Sequence, residues 1–239
     1  MIEALLLNLE NHDVVSIEET NLLRSMIVRQ MRFNTGDDLV TEGSRPDYST
    51  LMLEGFAARY KLMPDGSRQI TAIHVAGDFV DLHAFLLKKM DHGIVALTPC
   101  RTAPVAHAHL TLITESQPHI TRLFWLSTLV DGAIHREWIV AMGRRSKKAH
   151  LAHLICELFA RLQVVKKTDG NSFKFPLSQA EMADVLGISV VHLNKTLQTL
   201  RKSQTVIWEN REISILDWDG LAAIAGFDPT YLSFSIEPR

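Results

Sequence analysis

The stretch LSQAEMADVLGISVVHLNKTLQTLRK, residues 177–202, reads as two short helices joined by a tight turn. Ser178 with Glu181 three residues on makes a capping box, in which hydroxyl and carboxylate each satisfy a free amide at a helix start. Met182, Val185 and Leu186 form the apolar side of that helix. Gly187 sits where the turn needs a residue tolerant of positive φ, and Ser189 caps the next helix. On the second helix Val190, Leu193, Leu197 and Leu200 follow spacings of three, four and three, an apolar stripe. The opposite stripe carries Val191, Lys195, Gln198 and Lys202, flanked by His192 and Asn194. A helix that buries one side and displays amides and cations on the other has a partner.

The residues that follow narrow the choice. TVIW (205–208), a turn at ENRE and ISIL (213–216) read as two short strands, a β-wing. Helix, turn, capped helix and wing make a winged helix–turn–helix, whose second helix enters the DNA major groove. In that setting His192, Asn194, Lys195 and Gln198 donate to bases or phosphates, and Val191 offers an apolar contact to a thymine methyl. Lys202 is better placed for phosphate. A formal net charge of -2 argues by itself against a polyanion as partner, but the charge is unevenly spread. Residues 144–216 hold 12 Lys+Arg against 6 Asp+Glu, whereas 1–143 hold 12 against 17 and 217–239 hold 1 against 4. One basic block lies in an acidic chain, which is the local field duplex DNA would meet.

Upstream the pattern changes twice. Residues 16–30 are helix-like with Ser16 as N-cap. From 30 to 105, Gly36, Gly43, Gly55, Gly66, Gly77 and Gly93 punctuate short apolar runs, with MPDGSR as a hairpin turn. Many short strands at regular spacing predict a sandwich or double-stranded β-roll. Residues 118–144 then predict a long helix, with Ile120, Leu123, Ser127, Val130, Ile134 and Ala141 on a coiled-coil-like seam. Trp125, Leu126, Leu129 and Trp138 widen its apolar surface, so it needs two neighbours, its own roll and a second copy of itself. Ser146 restarts a helix running to about Leu162, followed by a polar loop at KKTDGNS.

Composition removes several classes. At 239 residues, 46% hydrophobic and 22% charged, the chain is an ordinary globular one with room for two modest domains. MIEALLLNLENHD is acidic at its start and too briefly apolar to read as a signal peptide. The longest apolar stretch is broken by Arg122, Asp131, Arg136 and Glu137, so no membrane partner is expected. Two cysteines, Cys100 and Cys156, predict reduced, buried thiols in a cytoplasmic protein.

Over nearly all its length the chain resembles the Crp/Fnr family of bacterial transcription regulators. The resemblance is carried by the Gly-punctuated roll with PDGSRQI and GDFVDL, the long helix after SQPHITRLF, and LSQAEMADVLGISVVHLNKTLQTLR. It implies an α+β architecture: a β-roll sensor domain (1–117), a dimerisation helix (118–145) and a winged helix–turn–helix domain (146–239). It further implies a homodimer on a palindromic operator of double-stranded DNA, with RNA polymerase as a partner and no catalytic residues. Val190, Val191, His192, Asn194 and Lys195 match the family's base-reading positions, with Val191 and Lys195 replacing the family's frequent Glu and Arg.

The sensor departs from the pattern of cyclic-nucleotide binders. Where they carry a Gly-Glu-Leu run and then an Arg-Ser pair, this chain has Asp81, Leu82 and His83, then His92 and Gly93. Loss of the ribose carboxylate and the guanidinium removes the bidentate grip on a phosphate, so no cAMP binding is expected. These five residues, with His135 and Arg136 on the long helix, are the candidate effector pocket of an unknown signal. Two cysteines exclude a four-thiolate iron–sulfur cluster within one chain, and no cofactor or metal is assigned. Two alternatives remain open. One is a metal or haem sensor using some of His74, His83 and His92. The other is a cupin-like metal-dependent enzyme using His107, His109 and Glu115. His150, His153 and Glu157 share a helix face, either as a ligand trio or as a polar face at a domain junction.

Overall fold

A computed structural model describes residues 2–175 and 177–239. Two helices open the chain, α1 (Glu3–Glu10) and α2 (Ile17–Ser25), the second held by a capping box in which Ser16 and Glu19 satisfy each other's amides. The roll follows with β1 (Met31–Phe33), β2 (Asp38–Val40), β3 (Tyr48–Glu54), β4 (Ala57–Leu62), β5 (Arg68–His74), α3 (Ala84–Leu87), β6 (Gly93–Ala96) and β7 (Cys100–Ala106). Its strands form two antiparallel sheets, β1-β7-β3 and β2-β6-β4-β5. The β4–β5 hairpin closes at MPDGSR, where Gly66 takes φ 82° and Asp65 accepts from the Ser67 amide. That turn chemistry is the one the sequence predicts.

The helical half begins with α4 (His107–Ser116) and α5 (Pro118–Gly143). Then come α6 (Lys147–Val164), β8 (Ser172–Lys174), α7 (Gln179–Leu186), α8 (Val190–Arg201), β9 (Val206–Glu209), β10 (Glu212–Ile215) and α9 (Trp218–Ala225). A 3₁₀ turn at Pro229–Leu232 ends the series. The wing is a three-stranded sheet in the order β8-β10-β9, one strand more than the two read from the sequence. Three residues are too few for a period, so β8 hides in the tail of a polar loop.

One apolar core runs through both halves. Ile70, Ile73 and Leu97 of the roll, Ile134 and Trp138 of α5, Leu154 and Leu158 of α6, and Leu193 and Leu197 of α8 belong to a single buried cluster. Smaller clusters lie inside the roll and under α1, α2 and α4. The seam read along α5 turns inward: Ile120, Leu123, Ile134 and Ala141 are buried in their own chain. The unpartnered apolar side is a different one, carrying Trp125 (65% exposed), Leu129, Ile139 and Val140. Cys100 and Cys156 are free and buried, and burial pushes the Cys156 thiol up to about 12. Neither is a reactive thiolate at neutral pH.

Candidate nucleic-acid interface and sensor cluster

The helix–turn–helix closes by the devices legible in its sequence. Ser178 Oγ accepts from the Glu181 amide, and the Glu181 carboxylate accepts from the Ser178 amide at 2.7 Å. Gly187 takes φ 61°, ψ 47°, the left-handed end of α7. Ser189 Oγ accepts from the His192 amide and starts α8. Ser178 and Ser189 therefore set helix starts with their side chains already engaged. The partial positive charge of the α8 N-terminus faces outward.

On α8 the buried row is Leu193, Thr196, Leu197 and Leu200. Val190 leaves the apolar stripe assigned to it: in the first turn, 41% exposed, it sits with the outward group. Val191 (71% exposed), His192, Asn194, Lys195, Gln198 and Lys202 are all exposed. Among the described residues none of these polar side chains has an intramolecular hydrogen bond or ion pair. Arg211 joins them from the wing turn, where Asn210 and Arg211 take φ 50° and 61°. The sequence reading passed it over as part of a turn. The ENRE spacing, a cation at a hairpin tip beside a basic helix, was the signal.

Behind this face the sensor holds the first helix. Arg68 Nε and Nη2 donate to Asp184 Oδ2 at 3.0 and 2.8 Å, and Gln69 Nε2 donates to the Asp184 carbonyl at 2.7 Å. Lys147 Nζ donates to the carbonyl of Leu186, occupying a free acceptor at the end of α7.

The candidate effector pocket sorts into two groups. His83, His92 and His135 gather around Arg59, a buried residue of β4 that the sequence reading missed. Arg59 donates to Asp131 Oδ2 from both Nη atoms at 3.1 Å, and from Nη1 to His135 Nε2 at 2.7 Å. It thereby ties the roll to α5. Its signal in AARYKL is a charge at an inward strand position, two residues from Ala57.

Of the remaining four candidates, three serve elsewhere and Leu82 borders the cluster. Asp81 is fully buried and accepts from the Thr50 amide and hydroxyl, so its carboxylate bridges to β3 and is not free for a ribose. Burial raises it to about 6. Gly93 backs onto the Tyr60 ring, which a Cβ would meet at 2.5 Å, so its role is packing. Arg136 is exposed on the outer side of α5, out of reach of the pocket, because it lies one residue round the helix from His135. Leu82 lines a cleft of ≈ 80 Å³ between roll and α5, together with His74, His83, Asp131 and Arg161.

The other histidine readings are resolved by position. His107, His109 and Glu115 lie on α4 and not on converging strands, and His107 Nε2 lies 3.3 Å from Ser49 Oγ. His150, His153 and Glu157 are buried, so they form no open ligand trio but a polar face closed into the junction of the two halves. Glu157 instead accepts from Trp138 Nε1, the Tyr231 hydroxyl and Arg161, while Arg161 Nη2 donates to Asp78 of the roll at 2.6 Å.

Residues 30–116 match the cyclic nucleotide-binding domain family, and residues 149–224 match the Crp-like helix-turn-helix domain family. A probable transcriptional activator of Rhizobium leguminosarum bv. viciae is 27% identical over 80% of this chain and 78% of its own length. The nitrogen fixation regulation protein FixK of Bradyrhizobium diazoefficiens is 25% identical over 82% of both chains. The solved structure of FixK2 from Bradyrhizobium japonicum aligns with a TM-score of 0.75 at 19% identity. That alignment covers 84% of this chain and 98% of the other. No described helix is long and apolar enough to cross a membrane.

Proposed function

Because the chain belongs to the Crp/Fnr family of DNA-binding transcription regulators, not enzymes, we propose how this member binds and what controls it. It acts as a cytoplasmic homodimer on a palindromic site, each protomer laying the N-terminal half of α8 into a major groove. Val190, Val191, His192, Asn194, Lys195 and Gln198 meet base edges, and Lys202 meets phosphate. Ser178 and Ser189 hold the helix starts whose amides approach the backbone. The observation that carries this reading is the α8 surface itself: a row of unpartnered amides and cations backed by buried leucines. The dimer forms through the bare side of α5 around Trp125 and Leu129. RNA polymerase is the partner to which promoter binding is relayed.

The effector is not a cyclic nucleotide. Asp81 is committed to Thr50, Arg59 to Asp131 and His135, and Arg161 to Asp78 and Glu157. A signal acts instead by shifting populations between packings of the roll against α5, with the Arg59–Asp131–His135 contact as the joint that changes. Selection of bound duplexes from a random pool tests the whole reading. The expected product is an inverted repeat whose half-sites lie one helical turn apart, ~34 Å. Recovery of single, unpaired sites would refute the dimer, and recovery of unenriched sequence would refute base reading.

A further inference from the structure

We propose that His83, Asp91 and His92 form a binding site for one divalent first-row transition cation per chain, on the side of the roll that faces α5. One donor atom from each of the three lies within 4.8 Å of the other two. The two imidazole rings have centroids 5.1 Å apart. Tetrahedral coordination at ~2.0–2.1 Å places donors about 3.4 Å from one another, a spacing that rotation of the two rings can reach while Asp91 stays on His92.

The hydrogen bonding of the two histidines gives the second argument. His92 is only 6% exposed, and its Nδ1 lies 2.7 Å from Asp91 Oδ1. The carboxylate keeps the ring proton on Nδ1, which leaves a lone pair on Nε2. That Nε2 is buried and has no hydrogen-bond partner among the described residues, and neither has the buried Nε2 of His83. Two buried nitrogens without partners, on rings whose centroids lie 5.1 Å apart, cost stability unless a ligand meets them. A carboxylate that orients a metal-bound imidazole is the common supporting arrangement in such sites.

The chemistry of the donors selects the ligand class. Two imidazoles, one of them oriented by the Asp91 carboxylate, suit Zn²⁺, Fe²⁺, Co²⁺ or Ni²⁺ over Mg²⁺ or Ca²⁺, and they leave coordination positions open to water or a small ligand. Burial, with the nearby Arg59 charge adding to it, holds both imidazoles below their ordinary pKa, so both are neutral donors at pH 7. Arg59 does not bar a cation, because its own charge is balanced by Asp131. By the resemblance, His83 falls in the run with which cyclic-nucleotide binders grip the ribose, and His92 where they hold the phosphate. The site's position beside the Arg59–Asp131–His135 joint makes the metal a candidate signal, a consequence that rests on the regulator reading; binding itself does not.

The test uses untagged, full-length, chelator-stripped protein without DNA. Calorimetric titration with ZnCl₂ should show one ion per chain, with a Kd below about 100 μM. Co²⁺ should produce the visible bands of a low-coordinate nitrogen and oxygen site. His83→Gln and His92→Gln should each weaken Zn²⁺ binding at least about tenfold, Asp91→Asn by about tenfold, and His107→Gln should leave it unchanged. Should a variant fold poorly, imidazole nitrogen NMR of the parent chain replaces it: His83 and His92 must be the resonances that Zn²⁺ moves. Absence of saturable binding overturns the site, as does parent-like binding by both glutamine variants or movement of other histidines instead. A metal effect on binding and none on DNA affinity would keep the site and remove only its role as signal.

Discussion

Arg68, on the β4–β5 hairpin of the roll, grips Asp184 of the helix–turn–helix through two nitrogens, at 2.8 and 3.0 Å, across 116 positions of sequence. The contact fixes the first DNA-binding helix to the sensor directly, not only through α5 and α6. Both side chains are about a quarter exposed, at 28% each, so the pair is screened but not dissolved by water. Arg68→Ala and Asp184→Ala, separately and together, should reveal a coupling of roughly 1 kcal/mol in urea unfolding. Simple additivity would show that the two halves are held by apolar contact alone.

Lys195 is exposed in the second turn of α8 with no hydrogen-bond or ion-pair partner among the described residues. Its replacement by alanine should weaken binding to the selected site by roughly 1–3 kcal/mol and relax preference at one base pair per half-site. A uniform loss over all sequences, with a shallower salt dependence, would reassign it to a phosphate.

Leu129 is 55% exposed on the bare side of α5. Because it touches little within its own chain, Leu129→Glu should leave the circular dichroism spectrum intact. It should also convert the proposed dimer to a monomer in sedimentation at micromolar concentration, since a carboxylate buried at a two-fold interface would meet its own copy. A dimer that survives the change places the interface elsewhere.

Histidines pull the pH dependence in opposite directions. Burial, with the cation Lys147 next in weight for His150 and Arg145 for His153, lowers both to about 4. Their neutral folded forms contribute stability that is complete above the unfolded value near 6.5 and is lost as pH falls toward 4, about 2–3 kcal/mol apiece. Burial also opposes the charge on His119, but the hydrogen bonds it donates to Glu19 and Asp13 outweigh burial and raise the pKa. That contribution is complete below 6.5 and fades as pH rises through the raised value. Urea unfolding should therefore weaken on the acid side, with His150→Gln/His153→Gln flattening that limb and His119→Gln flattening only the alkaline one. An unchanged acid limb in the double variant would contradict the burial argument.

What the sequence disclosed was what adjacent residues decide among themselves. The N-cap at Ser16, the capping box at Ser178, the left-handed Gly187 and the Asp65–Gly66 turn all close within four residues, and all are present. The exposed row on α8 was equally legible, since amphipathic period needs only one helix. Val190 slipped because the first turn of a helix projects beyond the core its period points to. The α5 seam showed the same weakness on a larger scale. Period identified a helix with too much apolar surface, but which side its own roll would claim depends on residues far along the chain. Arg59 was hidden for that reason too: Asp131, the partner that makes an inward arginine tolerable, lies 72 positions away.

The shared core has a practical consequence for anyone wishing to transplant the reading head onto a foreign sensor. A cut between α5 and α6 would strip Leu154 and Leu158 of the neighbours that Ile134 and Trp138 belong to, leaving a greasy scar on the excised half. Such a graft needs a recipient roll that presents matching hydrocarbon, or new polar residues sewn over the wound. The two halves are separable as recognisable modules in sequence, yet as solid objects they are one casting.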